Sequence, residues 1–150
     1  MKLALWKKGF TIIELLIVIT VIAILIGIAL PRFRGIQEEG NSAKARGELR
    51  TLQSAVESYN MHQGSLPATL DELTKDTTKP NIVGSVLPTD PFKSGSNYGY
   101  AMSPSKQYYV MYSVGPSAGD SASVDDKGDV TLSSTDAIYS SNGKPKTATP

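Results

Sequence analysis

Residues 10–30 read FTIIELLIVITVIAILIGIAL, and this stretch decides the fold. It is apolar apart from two threonines, one glycine and a single charged residue, Glu14. As an α-helix, roughly 21 residues extend ~31 Å, which matches the ~30 Å hydrocarbon core of a bilayer. We therefore predict that residues 10–30 form a membrane-spanning helix.

The residues that flank this block set its orientation. Residues 1–9 contain three lysines and no acid, whereas the arginines that follow the block are offset by Glu38 and Glu39. Because basic residues stay on the cytoplasmic side, we expect the N-terminus to face the cytoplasm. Everything after Pro31 is then exported.

Glu14 is the unusual residue of the block. A carboxylate inside a spanning helix costs about 2.5–3.5 kcal/mol on insertion scales, and such groups usually mark function. From composition alone a second interpretation stays open, in which Glu14 simply reaches back to the cytoplasmic interface.

Beyond the block, apolar residues continue with helical spacing. Leu49, Leu52, Val56 and Tyr59 recur three or four residues apart, which is typical of a helix with one packing face. Gly64 and Pro67 predict a helix end near position 63, and Pro31 predicts a bend because it cannot donate a backbone hydrogen bond. We expect one long, bent helix over about 10–63.

Residues 31–139, which follow the apolar block, are predicted to form a small globular head. Thr69-Leu-Asp-Glu72 fits a capping box that starts a short helix. Residues 98–102, 108–113 and 130–132 have strand character, and Pro104-Ser-Lys predicts a hairpin turn between the first two strands. The glycine- and aspartate-rich stretch 115–128 is predicted to be a long loop, and the polar residues 140–150 a disordered tail.

Composition excludes several classes of function. The chain has 15 basic and 14 acidic residues, so it lacks the excess positive charge of a nucleic-acid-binding protein. It has no cysteine and one histidine, which excludes disulfides and most zinc-hydrolase sites. No G-x-S-x-G nucleophile motif occurs. We expect the protein not to be an enzyme; a membrane-tethered enzyme or ligand-binding domain is the alternative from another class.

The start of the chain resembles a known processing motif. Gly9-Phe-Thr-Ile-Ile-Glu14-Leu-Leu is similar to the N-terminal motif of type IV pilins and type II secretion pseudopilins. The resemblance implies a leader of residues 1–9, a prepilin peptidase that cuts between Gly9 and Phe10, and methylation of the new amine. It also implies that Glu14 of an incoming subunit meets the Phe10 amine of a neighbour and sets the register. A cleaved secretory signal peptide and an unprocessed anchor are the alternatives.

The head resembles one branch of that family. Leu87-Pro-Thr-Asp-Pro91, Tyr98-Gly-Tyr100 and Tyr112-Ser-Val-Gly115 are similar to segments of the major pseudopilin of type II secretion. The resemblance implies an α+β pilin fold, in which the long N-terminal helix packs on a small antiparallel β-sheet. It also implies a calcium-binding loop, for which Asp120, Asp125 and Asp126 are the candidate ligands.

The calcium expectation has one departure from the family pattern. Calcium prefers six to eight oxygen ligands, and the loop is rich in carboxylates. However, Ser117 stands where the family usually places an aspartate after Gly-Pro. A solvated acidic loop without a metal is therefore the alternative.

The resemblance also implies partners and a location. The expected function is a structural subunit of a homopolymeric filament that drives protein export, with a surface pilin for adhesion, motility or DNA uptake as the alternative. Expected partners are further copies of the chain, the prepilin peptidase, an inner-membrane assembly platform and minor pseudopilins, and no nucleic acid. Before assembly, the subunit is expected to cross the bacterial inner membrane once, with its head in the periplasm.

Overall fold

The computed structural model describes residues 9–75, 83–117, 119–134 and 136–144. The chain divides into two compact units, Met1–Gln37 and Glu38–Pro150. Helix α1 (Ile12–Gln63) begins in the first unit and ends in the second. Most of the predicted leader, residues 1–8, lies outside the described residues, as do residues 76–82.

The first unit presents the apolar block as an exposed helical surface. Its large apolar side chains are all exposed, Ile22 being the least exposed at 47%. By length and composition, α1 is the single helix among the described residues that could cross a membrane. The predicted helix is confirmed, although it starts at Ile12 rather than Phe10. Pro31 lies within it, and the bend there stays a prediction.

In the second unit, α1 supplies one wall of the hydrophobic core. Leu49, Leu52 and Val56 are each at most 1% exposed and pack in one cluster with Tyr109 and Met111 of the sheet. The predicted packing stripe is therefore confirmed.

The end of α1 also agrees with the sequence. The helix stops at Gln63 because Gly64 adopts a φ of 72°, which costs glycine little. The amide of Gly64 donates to the carbonyl of Asn60 at 2.8 Å.

Five short strands complete the head. A three-stranded antiparallel sheet has the order β1-β2-β5, and β3 pairs with β4 in a separate antiparallel hairpin. The predicted hairpin between the first two strands is confirmed: Tyr100 pairs with Met111, and the Lys106 amide donates to the Ser103 carbonyl in the turn. The arrangement is the expected α+β pilin-like fold. The strands are β1 (Gly99–Met102), β2 (Tyr109–Tyr112), β3 (Ala122–Val124), β4 (Val130–Leu132) and β5 (Tyr139–Ser141).

Two strands lie where the sequence predicted none. β3 falls inside the stretch that was predicted to be a loop, because Val124 is buried with Val110 and Val130 in a second apolar cluster. β5 carries the chain into the predicted disordered tail, since Tyr139–Ser141 extends the edge of β2. Residues 140–144 thus belong to the head, and residues 145–150 lie outside the described residues.

The predicted capping box at Thr69 is wrong. The segment Leu70–Thr74 is a 3₁₀ helix, and the Thr69 side chain makes no capping hydrogen bond. The carboxylate of Glu72 instead accepts from the amide of Ala68 and the hydroxyl of Tyr59, both at 3.0 Å. Leu70 and Leu73 are buried as predicted, so apolar burial and the Glu72 contacts hold this turn in place.

Candidate functional site

A capping box stands at the start of the apolar helix. The Glu14 amide donates to the hydroxyl oxygen of Thr11 at 3.2 Å. In return, the amide and the hydroxyl of Thr11 both donate to Oε2 of Glu14 at 3.0 Å. This reciprocal arrangement satisfies amides that the first turn of a helix otherwise leaves without partners.

The capping box leaves part of the Glu14 carboxylate available. Both bonds from Thr11 use Oε2, and Oε1 accepts no hydrogen bond from the described residues. An ionised carboxylate has about four acceptor positions. Glu14 can therefore hold its own helix start and still accept from a cationic group of another molecule.

The predicted cleavage position is open to solvent. Gly9 and Phe10 precede the helix, the Phe10 side chain is 84% exposed, and no atom lies within 4 Å of a Cβ built on Gly9. A segment without neighbouring atoms can enter a peptidase cleft. Cleavage between Gly9 and Phe10 and the register role of Glu14 stay predictions.

Among the predicted calcium ligands, Asp125 and Asp126 bind backbone amides. Oδ1 of Asp125 accepts from the amides of Lys127 and Asp129 at 3.0 and 2.8 Å, which closes the turn between β3 and β4. Oδ1 of Asp126 accepts from the amide of Ser105 at 2.6 Å. This backbone hydrogen bond holds the pKa of Asp126 below its usual value.

Asp120 has a different environment. Its amide donates to the carbonyl of Val114 at 3.0 Å, and its carboxylate lies against Gly115, whose φ is 67°. Across the described residues, no group of three or more acidic or histidine side chains is placed to hold a metal ion. The carboxylates of Asp125 and Asp126 thus bind the amides of two separate turns, and the three aspartates do not form one cluster among the described residues. Calcium binding stays a prediction.

Asp90 is a buried carboxylate whose role the sequence did not reveal. It is 1% exposed, and its Oδ1 accepts from the Phe92 amide at 3.0 Å and the Ser113 hydroxyl at 2.9 Å. Its Oδ2 accepts from the Val114 amide at 2.8 Å. Asp90 therefore ties the loop before β1 to the end of β2, where the chain enters the acidic loop.

Two tyrosine hydroxyls of the head donate to acidic residues of α1. The hydroxyl of Tyr98 donates to Glu48 at 2.6 Å, and that of Tyr109 donates to Glu57 at 3.4 Å. Burial, followed by the nearby carboxylates, raises the pKa of both tyrosines above the usual value. The sequence predicted sheet packing for these residues but not their bonds to the helix.

Comparisons with known proteins cover most of the chain. The family model described as type II secretion system (T2SS), protein G matches residues 32–133. The prokaryotic N-terminal methylation motif matches residues 7–30, the segment that holds the capping box. No solved structure gives a significant match.

Curated relatives agree with the family models. The type II secretion system core protein G of Escherichia coli is 27% identical, and the match covers 80% of this chain and 88% of that protein. The core protein G of Pectobacterium carotovorum is 29% identical over 51% of this chain, a match that spans about half (49%) of that relative. The type IV major alpha-pilin of Moraxella bovis is 38% identical over 51% of this chain and 46% of its own length.

Proposed function

The chain belongs to the family of type II secretion system protein G, and on this premise we propose how its residues serve a filament. Its function is that of a structural subunit, the major pseudopilin of a type II secretion system. The observation that carries this conclusion is the methylation motif on an apolar helical segment whose large side chains are all exposed, followed by a small α+β head.

Polymerisation follows from the exposed apolar surface. The apolar window of α1 is 0% buried within the subunit, so it is covered by lipid before assembly and by neighbouring helices afterwards. We infer that every subunit makes the same contacts with its neighbours, because identical copies that repeat one contact without closure build a helical fibre.

Register comes from Glu14 and Phe10 in this proposal. The peptidase cuts after Gly9 and leaves a cationic amine on Phe10. An isolated charge is costly in a membrane, so the amine of one subunit pairs with the Glu14 carboxylate of the next. The open Oε1 supports this pairing, because the carboxylate can keep its bonds to Thr11 while it accepts from the amine.

The same proposal includes the location and the partners of the subunit. The subunit crosses the inner membrane once, N-terminus inside, and its head stands in the periplasm. It meets the prepilin peptidase, an assembly platform and minor pseudopilins on the way into the fibre. The match to the Moraxella bovis pilin supports a surface pilus as the second candidate; a retraction ATPase gene beside this one would favour it.

Two substitutions at Glu14 test the mechanism. Glu14→Leu removes the acceptor and the charge, whereas Glu14→Gln keeps an acceptor oxygen for Thr11 but removes the charge. If the charge pairs with the Phe10 amine, both variants are cleaved and neither forms fibres in cells that carry the peptidase and the assembly machinery. Normal fibre yield from the Gln variant would show that Glu14 acts only as a local helix cap.

A further inference from the structure

A charged cleft lies between α1 and β5 in the head. Its volume is about 250 Å³, and Arg46 and Arg50 stand at its helix side. Leu49 and Ile138, both buried, line its apolar part. The hydroxyl of Ser140 in β5 donates to Oε1 of Gln53 in the helix at 2.5 Å, which holds the two walls together.

The two arginines of this cleft lack a counter-charge within the subunit. Arg46 and Arg50 are four residues apart, so they lie on the same helix face and repel each other. Both are exposed, and neither side chain bonds to another of the described residues. The ion pair recorded among those residues joins Lys44 to Glu48 at 3.8 Å and leaves both guanidinium groups free.

The same helix carries two acids that also lack a counter-charge among the described residues. Glu38 and Glu39 are adjacent and exposed, and their carboxylates also make no ion pair within the described parts of the chain. Guanidinium groups bind carboxylates through two parallel hydrogen bonds and are favoured at protein interfaces for that reason. A free pair of bases and a free pair of acids thus stand on one helix of each copy.

We propose that this arginine cleft binds the Glu38 and Glu39 carboxylates of a neighbouring copy of the chain. Glu39 and Arg46 are seven residues apart, which is ~10 Å along a helix. If two parallel copies are displaced along the helix axis by about two turns, the acids of one copy therefore lie at the same height as the arginines of the other copy. Such a contact is head-to-tail and repeats along a fibre. The proposal rests on the filament function.

Charge exchange in the full-length chain tests the pairing. R46E/R50E and E38R/E39R are each expected to be cleaved normally and to lower fibre yield at least tenfold, because like charges then meet at the contact. The chain that carries all four changes restores opposite charges and is expected to recover fibres. Lys93→Glu, at an exposed loop position outside the lining of the cleft, is the control for charge reversal elsewhere on the head and is expected to assemble normally.

Cross-linking gives a second readout, because the chain has no cysteine. Glu39→Cys and Arg46→Cys subunits that are expressed together should form disulfide dimers in oxidised fibres, and either variant alone should form none. Disulfide dimers that form only within the single variants would overturn the pairing. Normal fibres from R46E/R50E would also overturn it, and so would a chain with all four charge changes that fails to recover fibres.

The outcomes separate this proposal from the filament function. A parent chain that forms no fibre contradicts the filament function itself, whereas normal fibres from parent and R46E/R50E alike contradict only the arginine contact. Anionic lipid is the competing occupant. If R46E/R50E assembles normally but its mature form no longer binds phosphatidylglycerol vesicles, the cleft binds lipid and the proposal is wrong.

Discussion

Replacement of Asp90 by alanine should destabilise the head more than removal of any one carboxylate of its acidic loop. The substitution leaves the Phe92 amide, the Val114 amide and the Ser113 hydroxyl without their acceptor. The residue is 1% exposed, so water cannot readily replace the carboxylate. Hydrogen bonds to a charged group are worth about 1.5–3 kcal/mol each.

The three bonds share one group, so their contributions do not simply add. We expect Asp90→Ala to lower the free energy of unfolding by about 3–5 kcal/mol, a large share of the ~5–15 kcal/mol of a typical domain. At ~4 °C per kcal/mol, the melting temperature of a head of this size falls by roughly 12–20 °C. Asp90→Asn keeps an oxygen for Phe92 and Ser113 but turns its NH₂ toward the Val114 amide, and should cost about 1–3 kcal/mol.

Urea denaturation and thermal melting measure these losses of unfolding free energy. Both are done on the head from Glu38 onward, which contains both apolar clusters. Asp136→Ala, at an exposed position, is the matched control and should stay within about 0.5 kcal/mol of the parent. An Asp90→Ala head as stable as the control would refute the reasoning, since the buried hydrogen bonds would then contribute nothing net.

Other predictions concern the acidic loop and the tyrosines. Asp125→Ala should cost about 1–2 kcal/mol in chelator because two amides lose their acceptor, whereas Asp125→Asn should cost little. If the loop binds calcium, a hundredfold excess over Kd adds ~2.7 kcal/mol, and equal melting temperatures in calcium and chelator contradict the site. Tyr98 and Tyr109 have pKa values raised above ~10, so their contribution to stability is complete below pH ~10 and is lost as the pH rises further. The tyrosinate absorbance of these two residues, obtained as the difference between the parent head and its Tyr98→Phe and Tyr109→Phe variants, should therefore appear together with unfolding; a difference signal near pH 10 in a folded head would contradict this.

The long helix was predictable because its signals are local and strong. The apolar run from Phe10 to Leu30, the stripe through Leu49 and Val56, and Gly64 at the end each depend on near neighbours in sequence. The structure agrees with all of them except for a start two residues later, at Ile12.

Two Thr-x-x-Glu segments show where local signals fail. Thr11-Ile-Ile-Glu14 forms the reciprocal capping box because a regular α-helix follows it. Thr69-Leu-Asp-Glu72 has the same spacing but precedes a 3₁₀ turn, and the Tyr59 hydroxyl also engages the glutamate. The four-residue spacing is identical, so the spacing alone does not decide whether a capping box forms; the length and type of the helix that follows and the contact with Tyr59 differ between the two segments.

Non-local pairing explains the other differences. β5 exists because Tyr139 pairs with Tyr112, and the polar sequence of the segment carries no sign of that partner. The role of Asp90 likewise depends on Ser113 and Val114, more than twenty residues away. The cleft that contains Arg46 and Arg50 forms only because β5 lies beside α1, so the sequence alone does not reveal it.

The mass of the subunit recovered from sheared fibres tests the central claim most directly. Cells that express the chain with a prepilin peptidase and the assembly machinery should release fibres, and their subunit should begin at Phe10 with one N-methyl group. Because Trp6 is the only tryptophan, this subunit should also lack tryptophan fluorescence. A fibre subunit that keeps Trp6, or the absence of fibres despite correct cleavage, would contradict the account.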